Sequence, residues 1–92
     1  MGTDSREGIG LKTDILQGIG QVAQEHLGWE GPLTPEMRLV EDLRLDSVRL
    51  LTLASEVENH FRVLLDEADE LAIVTVGDLV ATVERKLGPR LG

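Results

Sequence analysis

The chain has 92 residues, 17 acids against 9 Lys plus Arg, a formal charge of -8 and no Cys. This length allows one domain with a modest core, about 60 to 65% of the unfolded surface becoming buried, which argues against a large enclosed active site. The acidity disfavours nucleic acid and anionic lipid and favours basic protein surfaces, and without thiols there is neither a disulfide framework nor a thiolate metal site.

Residues 1–10 and 88–92 are Gly-rich, polar or Pro-broken and are read as loosely ordered tails around one domain over 11–87. Neither a signal peptide nor a membrane span is legible, which points to a cytoplasmic protein without stable membrane insertion. From Leu11, the residues Ile15, Leu16, Ile19, Val22, Ala23 and Leu27 follow helical spacing, with Gly28 as the stop. Gly18 and Gly20 lie inside this first helix, each costing about 1 kcal/mol relative to Ala, so packing must stabilise it. Gly31, Pro32 and Pro35 then forbid a continuous helix, while Trp29, Leu33, Leu39, Leu43 and Leu45 suggest a long, partly buried loop.

A second helix is expected from Ser47 to Phe61. Spacing at 100° per residue places Leu50, Leu51, Ala54, Val57 and Phe61 on one face and turns Val48, Thr52, Ser55 and Asn59 outward. The acidic DEADEL suits a short helical turn. Thr75 can cap a last helix through Val76, Leu79, Val80, Val83 and Leu87, with Arg85 and Lys86 favourable in its final turn and Gly88-Pro89 ending it. No convincing strand alternation is present.

Asp46 is a good N-cap, and Asp-Ser at a helix start often has no further meaning. The wider pattern carries more: Glu41-Asp42-Leu43 upstream, Asp46-Ser47, apolar residues at helical spacing and Phe61 downstream, then Asp66 to Glu70 and Ile73-Val74-Thr75-Val76. In order and spacing, residues 11–87 resemble the acyl carrier protein family. The resemblance implies an all-α four-helix bundle of three longer helices and one short one, with the long loop between helices 1 and 2. It implies that Ser47 carries a 4'-phosphopantetheine arm, covalently derived from coenzyme A, whose thiol holds the acyl group. Asp46 would cap the helix and help orient the modifying enzyme's metal. Leu50, Leu51, Ala54, Val57 and Phe61 become candidates for an acyl pocket beside their ordinary role as core.

The implied partners are a phosphopantetheinyl transferase and acyl-loading and acyl-processing enzymes with basic patches, met by a non-catalytic monomer through Glu41, Asp42, Arg44, Val48, Arg49 and Glu56. The chain departs from the usual fatty-acid carrier in having Val48, Arg49 and Thr52 after the Ser, which thins the acidic stripe to Glu56 and Glu58, and Arg44 where Gly is common. A specialised carrier for a lipid, polyketide or related pathway fits better than a housekeeping one. A peptidyl or aminoacyl carrier is the runner-up, and an unmodified acidic helical interaction module is the reading from another class. GIGQVA at 18–23 lacks the strand a dinucleotide site needs. Ser47 and His60 lie about 20 Å apart along one helix, too far for a hydrolytic dyad. His26 and His60 are read as solvated surface residues.

Overall fold

The computed structural model describes residues 11–87. The tails expected over 1–10 and 88–92, with the Gly88-Pro89 stop, lie outside the described residues. Four α-helices run in chain order: α1 Leu11–Val22, α2 Ser47–Phe61, α3 Glu67–Ala72 and α4 Val76–Leu87. Among the described residues no strand forms, and a single bridge pairs Arg38 with Thr75.

The first helix continues through a wider π turn, Ala23–Leu27, and stops at Gly28. Gly28 adopts φ 71° and donates its N–H to the Ala23 carbonyl, a left-handed cap that glycine takes without a Cβ penalty. Ile15, Ile19, Val22 and Ala23 form its buried stripe. Gly18 has a packing reason: a Cβ there would stand 2.6 Å from Phe61 Cζ, so the glycine lets the ring of α2 approach the α1 backbone. At Gly20 the nearest atom would be Leu33 Cδ1 at 3.9 Å, and no close approach requires it.

The loop from 28 to 46 is partly buried, as its apolar residues suggest, with Leu39, Leu43 and Leu45 in the core. Three backbone hydrogen bonds tie its middle to the segment that opens α4. Leu39 N–H donates to the Val74 carbonyl at 3.0 Å, Val76 N–H to Met37 at 2.9 Å and Gly77 N–H to Pro35 at 2.9 Å. The loop is thereby clamped to the start of α4.

The span Ser47–Phe61 agrees with the sequence reading, but the buried face is rotated. Leu53 and Val57 are the buried residues of α2, whereas Leu51, expected on the inner face, is 61% exposed. The apolar residues Leu50, Leu51, Leu53 and Ala54 cover a broad arc of the helix, and the core occupies its Leu53 side, where α1 and Leu79 of α4 supply the partners.

The third helix has no buried residue and rests on polar ties. Asp66 and Asp69 form a reciprocal capping box. Asp69 also meets Arg85 Nη2 at 2.9 Å and Lys86 Nζ at 2.8 Å. Those two cations, read from sequence as partners of their own helix dipole, therefore also fasten α3 to α4. Lys86, followed by the Asp66 backbone N–H, holds the Asp69 carboxyl below the usual carboxylate range. Thr75 caps α4 as expected, its Oγ1 accepting from Asp78 N–H at 3.0 Å. Asp78 reciprocates by accepting from the Val74 and Thr75 N–H groups, bonds that lower its pKa. Val76, Leu79, Val80 and Val83 bury the inner face of α4, and α1 packs against both α2 and α4.

Candidate functional site

Ser47 is exposed at the first position of α2. Asp46, extended at φ -91°, places Oδ1 2.9 Å from the Arg49 N–H, and its carbonyl accepts from Leu50 N–H at 2.9 Å. One first-turn amide is thus taken by the cap, while the amides of Ser47 and Val48 have no intrahelical acceptor and keep the positive end of the helix beside the Ser47 hydroxyl. Asp42 is similarly engaged, accepting from the Arg38 N–H at 2.7 Å.

Beside Ser47 lies a cavity of about 380 Å³ between α2 and α3. Leu39, Leu53, Leu65 and Leu79 contribute its apolar floor, Leu50, Leu51 and Ala54 its α2 wall, and Glu67, Glu70 and Leu71 its α3 wall. Leu51 and Leu71 are 61% and 80% exposed, so apolar side chains reach solvent at the rim. Of the five pocket candidates, the structure places Leu50, Leu51 and Ala54 on the cavity and the other two elsewhere. Val57 is fully buried in the core. Phe61 packs on Gly18 and, edge to face, on His60, with ring centroids 4.7 Å apart.

The candidate contact residues fall in different settings. Val48 is 70% exposed and points outward as expected. Glu41 lies 3.0 Å from Arg38 Nη1, and Glu56 lies 3.3 Å from His26 Nε2, so His26 is a partner of α2 and not merely a solvated residue. Glu58 turns back to accept the Leu65 N–H at 2.8 Å. Arg44 adopts φ 61°, a left-handed conformation that glycine takes more readily. Among the described residues no group of three or more His, Cys, Asp or Glu is placed to hold a metal. No described helix is long and apolar enough to cross a membrane.

Residues 17–83 match the family model described as a phosphopantetheine attachment site. The chain belongs to the acyl carrier protein family. It is 38% identical over 78 residues to an acyl carrier protein of Thermotoga maritima, covering 84% of this chain and 96% of that one. A meromycolate extension acyl carrier protein of Mycobacterium tuberculosis is 33% identical over 73 residues, 78% of this chain and 64% of the relative. Among solved structures, a candidate acyl carrier protein of Mycobacterium tuberculosis superposes with a TM-score of 0.73 at 31% identity, over 77% of this chain and 96% of that one. The all-α four-helix architecture is that of the family, the protein is a non-catalytic carrier, and its cofactor is covalent 4'-phosphopantetheine.

The cavity floor was only partly legible. Leu53 lies among the apolar residues of α2, but Leu39, Leu65 and Leu79 come from three other segments. No local spacing reports that they converge below Ser47.

Proposed function

We propose that Ser47 is the attachment point of the 4'-phosphopantetheine arm, and that the protein presents acyl groups, held as thioesters on the arm's thiol, to enzymes of a lipid, fatty-acid, polyketide or related pathway. The observation that carries this reading is the meeting, at one residue, of an exposed hydroxyl, a helix N-terminus and an apolar cavity. A helix start tolerates the phosphodiester's charge. The neighbouring carboxylates of Asp42 and Asp46 are each occupied by a backbone N–H.

The Leu-rich cavity supports a cargo with an aliphatic portion, which Leu50, Leu51 and Ala54 would contact together with the floor residues. The name of the meromycolate relative, with its reference to extension, is in keeping with an acyl chain under construction. Val48, Arg49 and Thr52 in place of the usual fatty-acid carrier residues favour a specialised pathway. The expected partners are a phosphopantetheinyl transferase and acyl-loading and acyl-processing enzymes, met by a cytoplasmic monomer through the loop before α2 and the outer face of α2.

The test is intact mass before and after incubation with a broad-specificity phosphopantetheinyl transferase and coenzyme A. Wild type should gain one phosphopantetheine and Ser47→Ala none. An unmodified wild type, beside a known carrier modified in the same tube, would overturn the assignment.

A further inference from the structure

The charges around Ser47 divide into two sets. Several acids on α2 and late in the loop before it are tied within the molecule: Glu41 in an ion pair with Arg38, Asp42 by the Arg38 N–H, Asp46 by the Arg49 N–H and Glu58 by the Leu65 N–H, with Glu56 beside His26. Arg44 and Arg49, in contrast, are exposed and make no ion pair among the described residues. Across the cavity the relation reverses. Glu67 and Glu70 are exposed on its wall and are likewise unpaired among the described residues, while the nearby cations Arg85 and Lys86 are held by Asp69.

Helix geometry keeps the two sets apart. At about 100° per residue, Arg49 stands roughly 140° around the axis from Ala54, which faces the cavity and α3. Val48 lies between them on the outer side, about 100° from Arg49, and Leu51 completes the apolar strip towards the rim. A partner in contact thus meets the guanidinium groups of Arg44 and Arg49, beside the capped carboxylates of Asp42 and Asp46, then apolar surface, then the unpaired carboxylates of α3. At physiological salt, charges beyond about 8 Å are largely screened, so this local order outweighs the chain's overall acidity at contact.

We propose that the face around Ser47 is a bipolar dock for a protein surface that seats Val48 and Leu51 in an apolar depression, sets carboxylates against Arg44 and Arg49, and sets Lys or Arg against Glu67 and Glu70. The assignment of the arm to Ser47 gives this dock its use, although the charge pattern stands without it. Two opposite charges flanking one apolar seat admit a single orientation of the carrier, which aims whatever Ser47 bears. A uniformly basic face would oppose like charge at Arg44 and Arg49, so the pattern also discriminates against partners built for wholly acidic carriers.

The test titrates the ¹⁵N-labelled apo protein with two amphipathic peptides of matched length and apolar sequence, one with Glu and one with Lys along its polar face. The Glu peptide should shift amides over 44–52, and the Lys peptide amides over 67–71. Arg44→Glu and Arg49→Glu should each weaken the Glu peptide about fivefold, Arg49→Lys should retain its binding, and Glu67→Lys with Glu70→Lys should abolish the Lys response alone. Failure of the Glu peptide to shift 44–52, or equal shifts there from the Lys peptide, overturns the proposal. Because the titration uses apo protein, failure of the Ser47 assignment is read separately, in the coenzyme A mass experiment.

Discussion

At its C-terminal end α2 is locked from several sides, whereas its N-terminal end rests on one cap beside a cavity. Phe61 fills the space left by Gly18, Arg62 N–H and Val63 N–H both donate to the Glu58 carbonyl, and the Glu58 carboxylate holds Leu65 N–H. At the other end Asp46 caps the helix, Val48 and Leu51 face solvent, and α3, with nothing buried, forms the far wall of the cavity. The same helix thus supplies a fixed anchor at one end and an accessible apolar rim at the other. Interactions near Phe61 should therefore govern stability, and those near Ser47 should govern contacts with other molecules.

The largest effect separates two leucines two residues apart. Leu53, 3% exposed, should cost about 2–5 kcal/mol as Leu53→Ala, whereas Leu51→Ala should stay within about 0.5 kcal/mol. Urea denaturation of both variants checks this, and comparable losses would contradict the rotated face. Next comes Gly18→Ala, which pushes a methyl group against the Phe61 ring and should destabilise by about 1–3 kcal/mol, against the roughly 1 kcal/mol gain that helix propensity alone would give. A gain would mean that the ring yields easily and that the C-terminal end is less firmly held than its packing indicates.

These two residues also show where sequence reading reached and where it stopped. The span of α2 was legible because Asp46 is a local cap and the apolar period runs unbroken to Phe61. The inward side was not, because apolar residues occupy a wide arc and only the positions of α1 and α4 decide which part is covered. Gly18 looked like a propensity defect, and its reason stands 43 residues away at Phe61. The site followed the same division. The helix start at Ser47 and its Asp46 cap were readable from neighbours in the chain, whereas the cavity floor and the link from Asp69 to Arg85 and Lys86 join segments that no local spacing connects.

A smaller effect concerns the α3 wall. The Asp69 carboxyl is held low mainly by Lys86 and Asp78 mainly by the Val74 and Thr75 N–H groups, so both have folded pKa values below the unfolded one. Such groups contribute stability above the ordinary carboxylate pKa of about 4, and that contribution is lost as pH falls through the lower folded value. The urea midpoint should decline on acidification below about pH 4, and less steeply in Asp69→Asn and Asp78→Asn. At neutral pH, Asp69→Asn should speed hydrogen exchange in α3 more than in α2. Equal acceleration in both helices would show that the open end is not held separately.

The smallest effect compares two arginines with the same backbone strain and different surroundings. Arg44, before α2, and Arg62, just after it, both adopt φ 61°. The left-handed conformation costs a residue with a Cβ about 1–2 kcal/mol, while glycine gives back roughly 0.5–1 kcal/mol through its greater freedom when unfolded. Arg44→Gly and Arg62→Gly should therefore each stabilise by up to about 1 kcal/mol in urea denaturation. Only Arg44→Gly removes a charge from the proposed dock, so it alone should weaken the Glu peptide. If both variants gain stability and bind that peptide equally well, the guanidinium of Arg44 has no part in docking, and the positive pole of the open end reduces to Arg49.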